Sequence, residues 1–167
     1  MAAIHIRDFC AEDIDALVAL YNDYILKTPI TFDLVPYTAQ QRRDGWLSHY
    51  ALSGRYRLFV ADCEGVAVGY ASSSRFASKA AYDTSVETSI YVHPDFVGGG
   101  IGSRLYTALF QALAGEDVNR AYAGITLPNE VSIALHQKFG FEQAGVFHAV
   151  GRKFDQFWDV AWFEKAL

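Results

Sequence analysis

At 167 residues, 51% of them hydrophobic and 20% charged, the chain has the length and apolar content of one compact domain. Nineteen Asp and Glu against 14 Lys and Arg leave a formal charge of −5, which argues against a nucleic-acid or anionic-membrane footprint. No apolar run is long enough to span a bilayer, and MAAIHIRDF alternates and carries charge where a signal peptide needs an apolar core; the cytoplasm is the expected compartment.

Ile4-His5-Ile6-Arg7 alternates as a first strand. Acidic residues between Asp8 and Asp13 suit a helix start, and Ile14, Leu17, Val18, Tyr21, Tyr24 and Ile25 mark an amphipathic helix. Thr28-Pro29-Ile30-Thr31-Phe32 breaks it. Thr38 to Leu52 reads as a second helix, with Arg42, Arg43 and Asp44 outward and Trp46, Leu47 and Tyr50 inward. Arg57–Cys63 and Val66–Ser74 read as a hairpin across Glu64-Gly65. An irregular link from Arg75 to Asp83 leads into a strand in which Val86, Thr88, Ile90 and Val92 alternate with Glu87, Ser89 and Tyr91. Pro94-Asp95 ends that strand. A glycine-rich loop follows, then a helix on Ile101, Leu105, Ala108, Leu109, Ala112 and Leu113, stopped at Gly115. Arg120–Thr126 is another strand, Asn129 caps a helix running to Phe139-Gly140, and Phe141–Val150 and Phe154–Phe163 close the chain as strands. The order predicts one α/β domain over residues 1–167, a mixed sheet with helices on both faces.

The glycines Gly98, Gly99, Gly100 and Gly102 fit two readings. They suit a flexible turn without a ligand. They also suit a phosphate cradle, in which backbone without Cβ atoms exposes successive N–H groups at a helix N-terminus. The flanking strand and helix favour the cradle. A dinucleotide fingerprint fails because Ser103 stands where its third glycine belongs, and a nucleotide P-loop fails for want of Gly-Lys-Ser/Thr.

The stretch resembles the acetyl-CoA-binding segment of the GNAT superfamily of N-acetyltransferases, Q/R-x-x-G-x-G/A, with Gly100-Ile101-Gly102 as G-x-G and Val97 where Gln or Arg is usual. Asn129, Ser132, Leu135 and Phe139-Gly140-Phe141 resemble the family's second motif, and the order of elements matches the GNAT fold. LYNDYI, SRFASKAAYD, TSVETSIYV, SRLYTALFQAL, LPNEVSIALHQKFGF and GRKFDQFWDVAWFEKAL are similar to its phosphinothricin and methionine-sulfoximine acetyltransferase branch.

The resemblance implies acetyl-CoA as co-substrate. Val97, Gly98, Gly99, Gly100, Ile101, Gly102 and Ser103 are then expected at its diphosphate. Asn129 and Ser132 are expected along the pantetheine arm, and the backbone of Ile90, Tyr91 and Val92 at the pantetheine amide and thioester carbonyl. Amine acetylation needs a base for the ammonium proton, polarisation of the carbonyl and a proton for the leaving thiolate. Glu87 is the candidate base, since burial would raise its pKa; the plainer alternative is an exposed strand glutamate paired with a basic neighbour. His136 stands where many relatives have a tyrosine that protonates the thiolate and where this branch has His; a lone helical histidine is otherwise a surface or core residue. An acceptor with a carboxylate or phosphinate tail needs a fixed cation, and Arg75 is the candidate. Phe32, Tyr82, Lys153 and Phe154 are candidates for the pocket wall, with the surface the default place for Lys153.

Cys10 and Cys63 form neither a disulfide framework nor a zinc spacing; either could carry an acyl group, but their apolar settings point to the core. His5, His49, His93 and His148 show no ligand spacing, so no metal is expected. The expected activity is acetylation of the α-amino group of a small amino-acid analogue. The alternatives are a protein N-terminus or a polyamine as acceptor, or an acyl-CoA-binding module without catalysis. Relatives in this branch imply a homodimer, which the aromatic closing strands around Phe157, Trp158 and Trp162 would permit.

Overall fold

The computed structural model describes residues 3–167; Met1 and Ala2, the start of the segment read for a signal peptide, lie outside them. Seven strands form one sheet in the order β1-β2-β3-β4-β5-β7-β6: β1 Ile4–Asp8, β2 Leu58–Cys63, β3 Val66–Arg75, β4 Ser85–Val92, β5 Arg120–Thr126, β6 Glu142–Lys153 and β7 Gln156–Ala166. The helices are α1 Ile14–Lys27, α2 Ala39–Gly45, α3 Ile101–Leu113 and α4 Glu130–Lys138; α1 and α3 pack on the sheet, and α2 lies against α1. The mixed sheet with helices on both faces anticipated above is present. No helix among the described residues is long and apolar enough to cross a membrane.

Strand alternation builds two cores. Phe59, Ala61, Ala71 and Val86 face α3, meeting Ile101, Leu105, Tyr106 and Leu109. Leu58, Val60 and Tyr70 face the other way, meeting Ile14, Leu17, Val18 and Leu20 of α1. Hence helices lie on both faces. Glu64 and Gly65 at φ 53° and 88° close the β2–β3 hairpin where the dipeptide placed it.

Two stretches depart from expectation. Helix α2 stops at Gly45, and Leu47–His49 forms a separate 3-10 turn. Trp46 leaves the helical region at φ −137° and swings its ring onto Tyr70 and Tyr50. Arg42, expected to point outward, lies over the rings of Tyr21, Tyr37 and Trp46 at 4.5, 5.3 and 4.0 Å. The last two strands are longer than their pattern suggested, because the turn falls at Phe154-Asp155, both left-handed at φ 53° and 57°, a turn with no glycine to announce it. Cys63 is half-buried, but Cys10 is exposed rather than in the core, its Sγ near the Asp13 carboxylate that also accepts its backbone N–H.

The feature that positions the site is a missing pairing. β4 and β5, the one parallel pair among the described residues, stay in register only through Ser85–Glu87 and Arg120–Tyr122. Beyond Tyr122 the strands diverge, β4 continuing to Val92 on β3 and β5 to Thr126 on β7. The sheet therefore splits open at its centre.

Candidate active site

A cavity of about 550 Å³ occupies the split and reaches both faces of the sheet. On the α3–α4 face its wall includes Asn129, Ser132 and His136. On the α1 face it includes Tyr21, Thr31, Phe32, Phe147, Val150 and Trp162. Glu87, Ser89, Ile90 and Tyr91 of β4 lie between them. Such a volume suits a small molecule.

On the α3 face the glycine loop enters the helix with Gly98 and Gly100 left-handed at φ 90° and 75°. Val97 N–H reaches Pro94 O, and the next backbone bond is Arg104 N–H to Gly100 O at 3.1 Å. The amides from Gly98 to Ser103 thus have no partner among the described residues, and residues 98–100 are exposed. Six consecutive donors at a helix N-terminus fit an anionic diphosphate. A Cβ on Gly98 or Gly100 would meet no protein atom within 4 Å, so the space beside them is open. Gly102 is glycine for another reason: a Cβ there would sit 3.1 Å from Leu135 Cδ2, so its absence lets α3 approach α4. Val97 is exposed beside this loop. The sequence reading missed Lys138, in the last turn of α4, whose Nζ donates to Ser103 Oγ at 2.9 Å and sets a cation at the cradle; its closeness to the loop carries no local sequence signal.

The backbone of β4 continues this line of donors. His93 N–H reaches Val68 O on β3 at 2.8 Å. Antiparallel alternation then keeps the Tyr91 amide on β3 and turns those of Ile90 and Val92 toward the split. Asn129 Oδ1 caps α4, accepting from Ser132 N–H at 3.1 Å, which leaves its amide nitrogen for other partners.

Glu87 is half-buried with no ion pair among the described residues, and burial pushes its pKa above the usual carboxylate range. The alternative of an exposed, paired strand glutamate does not describe it. A carboxylate so placed gains basicity without a competing cation.

His136 is 3% exposed. Its Nδ1 lies 2.7 Å from Ser132 O, a carbonyl that can only accept, so Nδ1 carries the proton. Nε2 therefore accepts from the hydroxyl of buried Tyr106, also at 2.7 Å. Burial lowers the imidazole's pKa, and the ring is neutral with both nitrogens engaged. Neither holds a proton free to give to a leaving group.

The other expected acceptor residues divide. Phe32 lines the cavity. Arg75 does not: it borders a separate open depression beside His49 and Arg55, its guanidinium bonded to Ser78 O at 2.8 Å and facing Asp83 at 3.4 Å. Tyr82 is 46% exposed against Phe76, also away from the cavity. Lys153 is neither a surface nor a lining residue. It is buried, and its Nζ donates to Thr31 O at 2.7 Å. Phe154 is exposed at the hairpin turn. The cation that does pack on the cavity wall is Arg42, stacked on Tyr21, its Nε buried without a hydrogen-bond partner among the described residues. No cluster of three or more potential metal ligands occurs among the described residues.

The chain is similar to known proteins along nearly its whole length. The profile of the acetyltransferase (GNAT) family matches residues 17–141. A phosphinothricin N-acetyltransferase of Streptomyces coelicolor is 52% identical over 168 residues, covering 99% of this chain and 98% of the relative. An L-methionine sulfoximine/L-methionine sulfone acetyltransferase of Pseudomonas aeruginosa is 31% identical, covering 97% of this chain and 94% of its own. The crystal structure of a phosphinothricin acetyltransferase of Sinorhizobium meliloti in complex with acetyl-CoA superposes with a TM-score of 0.90 at 30% identity, covering 98% of this chain and 88% of that one.

Proposed function

Since this chain belongs to the acetyltransferase (GNAT) family and is an acetyl-CoA-dependent N-acetyltransferase, we propose that its acceptor is the α-amino group of a small amino-acid analogue of the phosphinothricin or methionine sulfoximine type. The observation that carries this reading is the half-buried, unpaired Glu87 carboxylate between a donor-lined half and an aromatic half of one cavity.

Acetyl-CoA, when bound, supplies an activated acetyl thioester. The amides of Gly98–Ser103 hold its diphosphate, with the Lys138 ammonium beside them, and Asn129 and Ser132 border the pantetheine arm. The Ile90 and Val92 amides hold the pantetheine amide and polarise the carbonyl that is attacked. An α-amino group has a reference pKa of about 7.7–8.0, so most of it is protonated at neutral pH. Glu87 takes that proton, directly or through water, and leaves a nucleophilic amine. The amine attacks the thioester carbonyl, the C–S bond breaks, and CoA leaves as a thiolate that takes up the second amine proton through solvent; His136, engaged at both nitrogens, fixes the wall with Tyr106 rather than supplying that proton. Arg42, packed on Tyr21, makes the acceptor half favourable to an anionic tail, the part expected of Arg75. Among the described residues Glu87 is the only acidic one lining the cavity, an arrangement that suits a polyamine poorly. We place the enzyme in the cytoplasm and pair two copies through β6–β7, where Phe147, Val150, Phe154 and Phe157 stand exposed.

The test is thiol release from acetyl-CoA with a panel of acceptors. Phosphinothricin, methionine sulfoximine and methionine sulfone should be turned over, and polyamines and peptide N-termini should not. Turnover on polyamines or peptides alone would contradict the acceptor class. Stabilisation by CoA with no turnover on any amine would leave a binding module.

A further inference from the structure

The aromatic half of the cavity is shaped by an element that touches no reacting atom. Between Phe147 and Gly151 the pairing of β6 with β7 slips: Phe147 faces Val160 and Gly151 faces Trp158, so His148, Ala149 and Val150 bulge out opposite Asp159. Ala149 is left-handed at φ 52°, and Asp159 fastens the bulge, accepting the Ala149 N–H at 2.7 Å and contacting His148 Nδ1 at 3.2 Å. The bulge carries Val150 onto the cavity wall, and Gly151 follows it.

Gly151 does not need glycine for its backbone, since its φ is not left-handed. It needs it for space. A Cβ there would overlap the tip of the Phe32 ring and lie 2.6 Å from Phe32 Cδ2. Phe32 is therefore seated in a notch in β6, and it also lines the cavity. Two further bonds hold its loop: Lys153 Nζ to Thr31 O at 2.7 Å, and Tyr21 Oη with Thr31 Oγ1 at 2.7 Å.

We propose that Gly151 is a specificity-determining residue, setting the length of acceptor side chain the enzyme takes by letting Phe32 withdraw from the cavity into β6, with Lys153 as the positioning residue that holds the loop there. This rests on the aromatic half being the acceptor half. The three atoms nearest the Cβ of Gly151→Ala all belong to the Phe32 ring, a side chain that can give way, and that ring moves into the cavity. The longer the acceptor, the more it loses.

Gly151→Ala is expected to lower kcat/KM for phosphinothricin and methionine sulfoximine by about 10-fold or more, and for alanine by much less, with the acetyl-CoA KM unchanged. Adding Phe32→Leu to that variant is expected to restore most of the loss. An equal loss on every acceptor, or no recovery in the double variant, would overturn the proposal. A crystal structure of Gly151→Ala reads the same claim without turnover: the Phe32 ring displaced into the cavity supports it and the ring in place refutes it, even if the wild-type enzyme acetylates none of these amines and the acceptor class is wrong. Should Gly151→Ala not fold, Phe32→Leu alone is expected to admit acceptors bulkier than methionine sulfoximine, and an unchanged selectivity would refute the notch.

Discussion

Glu87→Gln should lower kcat by about 10²- to 10⁴-fold near neutral pH, the usual range for loss of a general base, while the acetyl-CoA KM stays where it is. The replacement keeps the volume of the side chain and removes only its capacity to take a proton. Burial holds the Glu87 pKa above the ordinary carboxylate range, so wild-type kcat/KM should climb as pH rises through that raised value, and this limb should vanish in the variant. Stability runs the other way. A carboxyl whose folded pKa is raised contributes most below its unfolded pKa and progressively less as pH rises through the folded one. Gln has no charge to desolvate, so the variant should be at least as stable as wild type at pH 7, and its lost activity cannot be ascribed to unfolding. Unchanged turnover in stopped assays across pH would remove Glu87 as the base.

Gly100→Val should abolish measurable CoA binding. Gly100 sits at φ 75°, where a residue with a Cβ costs about 1–2 kcal/mol. Its new Cβ would meet no protein atom within 4 Å, and the side chain would project into the open space beside the loop where the diphosphate is expected. Strain alone could lower stability, and Gly115 supplies a matched control. It lies at φ 93° with equally open surroundings, just beyond the other end of α3. Both variants should lose similar stability. In a thermal melt, CoA at 100 times its dissociation constant should raise wild-type stability by about 2.7 kcal/mol. Gly115→Val should keep that response and Gly100→Val should lose it. Equal responses in the two variants would mean that the glycine loop does not hold CoA.

What the sequence made legible was local. The alternation of Val86–Val92, the run of glycines and the helical spacing of Ile101, Leu105 and Leu109 lie within one continuous stretch, and Asn129 caps its helix as its residue type suggests. The site's second half is assembled from residues far apart in the chain. Tyr106 donates to His136 Nε2 from thirty positions away, and Lys153 reaches Thr31 across 122. Neither pairing leaves a period or a spacing to read. Arg42 was misplaced because its neighbours suggested a solvent face, whereas three aromatic rings from α1, the following loop and Trp46 converge on its guanidinium. Arg75 stood next to the central strand in sequence, but Asp83 and Ser78, within its own link, hold it at the rim of a different depression. Gly151 offered no signal, since its need for glycine arises from a ring that the fold delivers from the α1–α2 loop.

The central claim is that unpaired main-chain amides grip the CoA diphosphate and thereby direct the thioester to Glu87. Titrating CoA into nitrogen-15-labelled protein and following the backbone amides by NMR tests it residue by residue. The amides of Gly98 through Ser103 should show the largest shifts and become protected from exchange with solvent, with smaller changes at Ile90 and Val92. Saturating CoA that moved resonances elsewhere while leaving Gly98–Ser103 unshifted and freely exchanging would contradict it.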